Sequence, residues 1–505
     1  MTPTTTVAEL LQAGADHAPA LSAPGGTPLS YAGLRSLVRQ TGGVLAGQGL
    51  VPGDRVALVL NNGPEMAAAF LSVASAATAA PLNPAYRTEE FEFYLTDLRA
   101  RLLIVGAGAD SPSIAVAERL GIPIARLVPE PDKGAGTFRL ELPSPGLGKA
   151  TPATAESIAL VLHTSGTTSR PKIVPLSHQN VTTSARNVRN TLGLTAGDRG
   201  LVIMPLFHIH GLIASLLAPL SAGGEVCCSP GFNALKFFSW FSEVKPTWYS
   251  GVPTMHQAIL LRAAKNLEAL GGHRLRFIRS SSSALPPTVL AELERVFGVP
   301  VLEAYGMTEA AHQMASNPLP PQSRKPGTVG VAAGPEVRVV DSGGNPLAPG
   351  ATGEIVIRGP NVMREYESNP TANAEAFYGD WFRTGDQGVM DAEGYLSITG
   401  RLKEIINRGG EKISPREVDE ILMEHPAVHQ CVCFAMPHQM LGEEVAAAIV
   451  LRQGAAATDQ DLRRFAAERL ADFKVPRKIL ILEQIPVGPT GKLQRIGLAQ
   501  KLGLA

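Results

Sequence analysis

The stretch His163-Thr-Ser-Gly-Thr-Thr-Ser-Arg-Pro-Lys172 follows a short apolar run and packs hydroxyls, one glycine and two cations into a single loop. Backbone N–H groups and hydroxyls closed by Arg170 and Lys172 form a cradle for phosphate oxygens. The Walker pattern Gly-x4-Gly-Lys-[Ser/Thr] is absent, so this is not that kind of phosphate loop. A polar surface turn would explain the Ser, Thr and Gly, but not the terminal Arg-Pro-Lys. A second cluster, Glu303-Ala-Tyr-Gly-Met-Thr-Glu309, joins a ring that can stack on a base to a carboxylate and hydroxyl that can hold Mg²⁺. Packing plus a surface glutamate is the alternative. A third, Trp381-Phe-Arg-Thr-Gly-Asp386, precedes Gly400-Arg401 and suits a ribose diol, although Gly-Asp is also a common hairpin turn. A fourth, Gly488-Pro-Thr-Gly-Lys492, sets a lysine on a loop where most lysines are merely solvated.

Positioning these groups requires a scaffold, and the sequence describes one. Runs such as Val56-Ala-Leu-Val-Leu60, Leu102-Leu-Ile-Val105 and Ile158-Ala-Leu-Val-Leu162 predict buried strands, alternating with helical patterns such as Glu65 to Ala77. That rhythm predicts an α/β fold. From about Thr328, short strands and turn signals such as Asp341-Ser-Gly-Gly-Asn345 predict a β-rich subdomain. After Gly400-Arg-Leu-Lys403 a small α+β domain is expected. In it, Ser414 caps a helix with Pro415 in the first turn and Glu417 three residues on. Domains of 1–402 and 403–505 follow, joined by a short hinge.

The 505 residues carry 45 basic and 45 acidic side chains, net charge +0, which gives no electrostatic footprint for nucleic acid or an anionic membrane. Four cysteines, as Cys227-Cys228 and Cys431-x-Cys433, are neither a disulfide framework nor a zinc spacing and fit a reducing cytoplasm. No secretory signal is evident. The charge-free stretch Gly200 to Gly224 is interrupted by Pro205, His208, His210 and Pro219, and reads as buried core rather than a membrane span.

Taken together in this order, the four motifs resemble the adenylate-forming superfamily of acyl-CoA synthetases, luciferases and peptide-synthetase adenylation domains, over nearly the whole chain. The resemblance implies a large N-terminal domain of α/β subdomains plus a β-barrel-like subdomain, a hinge, and a small mobile α+β C-terminal domain. It implies ATP, Mg²⁺ and coenzyme A as cofactors, and attack of a carboxylate on the α-phosphate before a thiol displaces AMP. By motif match, Thr164, Ser165, Gly166, Thr167, Thr168 and Lys172 would cradle phosphates, with Thr308 on the α-phosphate and Glu309 holding Mg²⁺. Ser283, Ala284, Glu303, Ala304 and Tyr305 would line the nucleotide site, and Asp386 with Arg401 would hold ribose. Lys492 would offset charge between carboxylate and phosphate. Rotation at hinge residue Lys403 would then exchange it for Arg408, Gly409 and Gly410, beside which a pantetheine arm passes.

Within that superfamily, Pro205-Leu-Phe-His-Ile-His-Gly211, Phe277-Ile-Arg-Ser280 and Met307-Thr-Glu-Ala-Ala-His-Gln-Met-Ala-Ser-Asn-Pro318 look like the oxalyl-CoA synthetases of plants and yeast. The resemblance makes His208, Ser282 and His312 the substrate pocket, polar enough for a second carboxylate. Another small acid such as malonate, a medium-chain acid, or loading of a carrier protein remain alternatives. Two positions depart from the pattern: Ile173 stands where Gly is usual, and Gly306 where the plant enzymes carry Ala. A β-branched residue takes φ > 0 only at a cost, so a reshaped phosphate loop is expected. A cytoplasmic monomer or homodimer without nucleic-acid partners or membrane insertion completes the expectation.

Overall fold

The computed structural model describes residues 5–142, 144, 146–164, 171–486 and 493–505. These fall into two compact units. One is built from the chain up to Thr164 together with Lys172–Val337 and Ile357–Phe377; the other contains Arg338–Val356 and Tyr378–Ala505. The chain is α/β, with a large N-terminal part and a smaller C-terminal one.

The first unit holds two sheets. One has the order Phe138–Glu141, Ile124–Pro129, Leu102–Gly106, Arg55–Val59, Thr78–Pro81, Ile158–Thr164, Lys172–Ser177, parallel except at its two edge pairs. The apolar runs read from the sequence are its central strands, buried on both faces as parallel strands must be. Helix Pro64–Ala76, with proline in its first turn, is almost wholly buried, because its alanines let it sit between layers. The other sheet runs in parallel through Pro19–Ser22, Glu225–Cys228, Arg199–Val202, Trp248–Gly251, Phe277–Ser281 and Val301–Met307, then turns antiparallel into His312–Ser316. An aromatic core of Phe237, Phe238, Phe241, Tyr249 and Phe297 packs under it.

The stretch from Gly200 to Gly224 is core. It forms the end of a strand and a π-helical run, His210–Leu217, with every residue buried. Among the described residues no helix is long and apolar enough to cross a membrane. All four cysteines are free and buried; burial pushes the Cys227 thiol up to about 12 and those of Cys228, Cys431 and Cys433 well above their ordinary value.

The second unit carries a sheet of short strands that includes Thr352–Arg358, Trp381–Met390 and Leu396–Arg401, and a C-terminal sheet led by the long hairpin Val428–His438 and Gly442–Leu451. Helix Pro415–Met423 begins where the Ser-Pro signal put it, but Ser414 makes no side-chain cap. Its hydroxyl donates to the Thr399 carbonyl instead, so the expected capping box is not formed.

Candidate active site

Lys172 opens the strand that returns antiparallel to Ile158–Thr164, opposite Thr164. Its Nζ lies 4.3 Å over the ring of Tyr366, whose hydroxyl donates to Glu309 Oε1 at 2.9 Å. Glu309 sits on the single 3₁₀ turn Thr308–Ala310, and its carbonyl accepts from the Met363 N–H at 2.7 Å. A lysine from one motif and a carboxylate from another therefore meet across one tyrosine. Sequence reasoning missed Tyr366, because it belongs to neither motif. Beside Thr164, the half-buried His163, its side chain 6% exposed, has its Nε2 3.0 Å from Asp97 Oδ2; burial lowers its pKa against the opposing pull of Asp97.

Ile173 carries no backbone strain; the loop 165–170, where reshaping was expected, lies outside the described residues. Ile173 is an ordinary strand residue paired with His163, packed in the core with Val161, Phe91 and Tyr94, and it is not among the residues with positive φ. The expected strain at that position is absent because the chain there is already extended.

Ser283 and Ala284 lie just beyond the carboxyl end of Phe277–Ser281, where α/β sheets place ligands, and Glu303, Ala304 and Tyr305 lie within its parallel neighbour Val301–Met307, Ala304 pairing with the terminal Ser281. Ser281 Oγ donates to the Ala304 carbonyl at 2.9 Å and the Leu285 N–H to Glu303 Oε1 at 3.4 Å, which ties the two ends together.

Next to them is a buried polar cluster. Arg279, fully buried on Phe277–Ser281, donates to His312 Nε2 at 3.1 Å, His210 Nε2 at 3.3 Å, Gln313 Oε1 at 3.3 Å and Ser250 Oγ at 3.4 Å. His210 and His312 stack at 4.9 Å, and His210 Nδ1 is 3.0 Å from the hydroxyl of Ser282, an exposed residue. Burial first, then neighbouring positive groups, holds both histidines well below their ordinary pKa; burial brings Arg279 down to about 9. Ser282, Ala311 and His312 have φ of 74°, 47° and 104°, three of the six non-glycine residues with positive φ among the described residues. Such backbone costs about 1–3 kcal/mol each and concentrates at functional sites. Gly306 is what admits His312: a Cβ there would stand 2.0 Å from the His312 carbonyl oxygen.

Of the expected pocket, Ser282 and His312 are thus brought together, but through His210 and Arg279. His208 is half-buried nearby in sequence, its ring tilted on Phe207 at 4.6 Å. The signal for Arg279 was present as the one cation of the strand Phe277–Ser281, directly after Phe277 and Ile278.

In the second unit, Asp386 and Arg401 are cross-strand partners, with Arg401 Nε donating to Asp386 Oδ1 at 2.8 Å. Arg408 donates to Glu444 at 2.6 Å, which raises its pKa. Gly409 and Gly410, at φ 57° and 100°, form the two-residue turn between Ile406–Arg408 and Glu411–Ile413, a conformation that needs left-handed backbone twice. Lys403 is exposed on the turn Leu402–Glu404. Ser165, Gly166, Thr167, Thr168 and Lys492 lie outside the described residues.

The "AMP-binding enzyme" family model matches residues 11–367, and "AMP-binding enzyme C-terminal domain" matches 417–492. An oxalate–CoA ligase of Arabidopsis thaliana is 44% identical over 95% of both chains. One from Saccharomyces cerevisiae is 44% identical over 88% of this chain and 86% of that one. Among solved structures, ATP-bound MatB from Rhodopseudomonas palustris superposes with a TM-score of 0.89 at 29% identity over 98% of both chains.

Proposed function

We propose, given that this chain belongs to the AMP-binding enzyme family, that it is an ATP-dependent acid–thiol ligase converting a small carboxylate, oxalate foremost, to its CoA thioester. A carboxylate oxygen of the acid attacks the α-phosphorus of ATP; the bond to the β-phosphate breaks and pyrophosphate leaves. The CoA sulfur then attacks the acyl carbon, the bond to AMP breaks, and the thiol proton is released.

In this reading, Thr164 and Lys172, with the loop Ser165–Thr168, hold the β- and γ-phosphates, and Thr308 meets the α-phosphate. The Glu309 carboxylate and the Thr308 hydroxyl on one turn fit Mg²⁺, which takes few protein oxygens alongside phosphate and water. The ion would supply neutralisation of phosphate charge. Tyr366 orients Glu309 while its ring face accepts the Lys172 ammonium. Asp386 accepts from ribose hydroxyls with Arg401 steadying it, and Lys492 balances charge building at the α-phosphate. Residues 403–505 act as a lid turning at Lys403, which exchanges Lys492 for the Arg408–Gly410 turn in the second step. The enzyme works in the cytoplasm as a monomer or homodimer on free CoA.

The observation that carries the choice of acid is the cluster of Arg279, His210, His312 and Gln313 behind Ser282. An apolar acyl chain would leave the buried Arg279 charge without an anion, whereas a second carboxylate gives it one to face. Pyrophosphate release with oxalate, malonate, glycolate, acetate and octanoate tests the reading. Oxalate should give the highest kcat/KM, and octanoate in first place would overturn it.

A further inference from the structure

Arg279 has a feature that its place in a strand does not explain. It is fully buried, yet its hydrogen-bond partners are two imidazoles, an amide oxygen and a hydroxyl, and its Nε has no partner at all. No carboxylate pairs with it among the described residues. A buried cation without a counter-ion is costly, and a structural role would be filled more cheaply by an apolar side chain of similar volume.

The geometry also fixes proton positions. A guanidinium only donates, so the Nε2 atoms of His210 and His312 accept from it; with the Ser250 hydroxyl donating to His210 Nε2 at 2.7 Å alongside, each neutral ring carries its proton on Nδ1. His210 Nδ1–H therefore donates to Ser282 Oγ at 3.0 Å, leaving the hydroxyl of that exposed residue to donate outward. Arg279, His210 and Ser282 thus form a polarised chain whose positive end is buried and whose donor end is accessible. Bonds in such chains strengthen one another. Ser282, at the outer end of this chain, and His312, beside its buried end, both have positive φ.

We propose that Arg279 is the specificity-determining residue of the acid pocket. Through His210–Ser282 and through His312 it presents positive potential to the non-reacting end of the acid, and so selects acids whose far end is itself anionic. It acts as a positioning residue behind the histidines. The proposal rests on the small-acid ligase reading and adds what reads the charge.

The test compares kcat/KM for oxalate and acetate by pyrophosphate release in wild type, Arg279→Met and Arg279→Lys. In wild type oxalate should be preferred; if acetate is used equally well, the functional reading fails before the variants are considered. Given that preference, Arg279→Met should lose on the order of 100-fold for oxalate, the size of one removed charge at an intermediate dielectric, while acetate changes by less than about threefold. Arg279→Lys should keep most of the preference, since the charge remains. Equal losses for both acids in Arg279→Met, or an undiminished preference, would overturn the proposal. If Arg279→Met does not fold, as judged by its melting transition, Ser282→Ala at the exposed end of the chain carries the same comparison. There the oxalate-to-acetate ratio must fall, and an unchanged ratio overturns the proposal.

Discussion

Replacing Tyr366 by Phe removes one oxygen and nothing else from the Lys172–Tyr366–Glu309 cluster. The ring stays under the ammonium at 4.3 Å, but Glu309 Oε1 loses a donor at 2.9 Å. Both residues are 6% exposed, so water does not readily replace it. A hydrogen bond to a charged group is worth about 1.5–3 kcal/mol net, or roughly 10- to 150-fold in an equilibrium that depends on that carboxylate. Loss of an outer partner of a metal-binding ligand costs about 10- to 100-fold in metal affinity, so the two routes agree. Pyrophosphate release measured against free Mg²⁺ should therefore show half-saturation raised about 10- to 100-fold in Tyr366→Phe, with most of kcat recovered at saturating Mg²⁺. Tyr366→Leu removes the ring as well and should lose a further ~0.5–2 kcal/mol, seen as a higher KM for ATP. An unchanged Mg²⁺ dependence in both variants would refute the assignment of Glu309 and of Tyr366 as its orienting partner.

Gly306→Ala puts a methyl 2.0 Å from the His312 carbonyl; overpacking of this kind costs about 1–3 kcal/mol, and kcat/KM for the acid should fall more than AMP affinity measured by calorimetry. Ser414→Asp, a good helix cap but no donor, should lower the melting temperature because the Thr399 carbonyl loses its partner, whereas a capping role for Ser414 would leave stability unchanged or improved. Burial lowers the pKa of His178 and His256 to about 4 and also lowers those of His163, His210 and His312. The unfolded chain thus binds more protons than the folded one below the ordinary value of 6.5, and stability present above that pH is lost as pH falls toward 4. Asp419, raised to about 6 by burial, runs the other way but is one group against five. Melting temperature should fall between pH 7.5 and 5, and a flat or rising profile would contradict the burial of these rings.

The α/β framework was legible because buried parallel strands write themselves as short apolar runs: Leu102–Gly106 and Ile158–Thr164 begin where the sequence put them. Glu309 and Lys172 were legible as motif members, but their meeting was not. Tyr366 stands 57 residues beyond Glu309, and no local pattern distinguishes it from a packing tyrosine. His210 was not legible as a partner of Ser282 and His312, because it stands two residues from His208 and only the backbone path sets which ring stacks on His312. Ser414 carried a sound helix-start signal, yet a tertiary acceptor, the Thr399 carbonyl, took its hydroxyl. Ile173 raised an alarm only because a family habit was applied to a residue whose backbone is simply a strand.

The buried cysteines have a meaning for chemistry as well as for packing. An enzyme that makes an acyl-adenylate holds a mixed anhydride that any thiolate will take, and the intended acceptor here is a thiol from solution. The protein's own four sulfhydryls are enclosed and held in the unreactive protonated form at neutral pH. The chain is thereby guarded against acylating itself, and the activated acid is left for CoA.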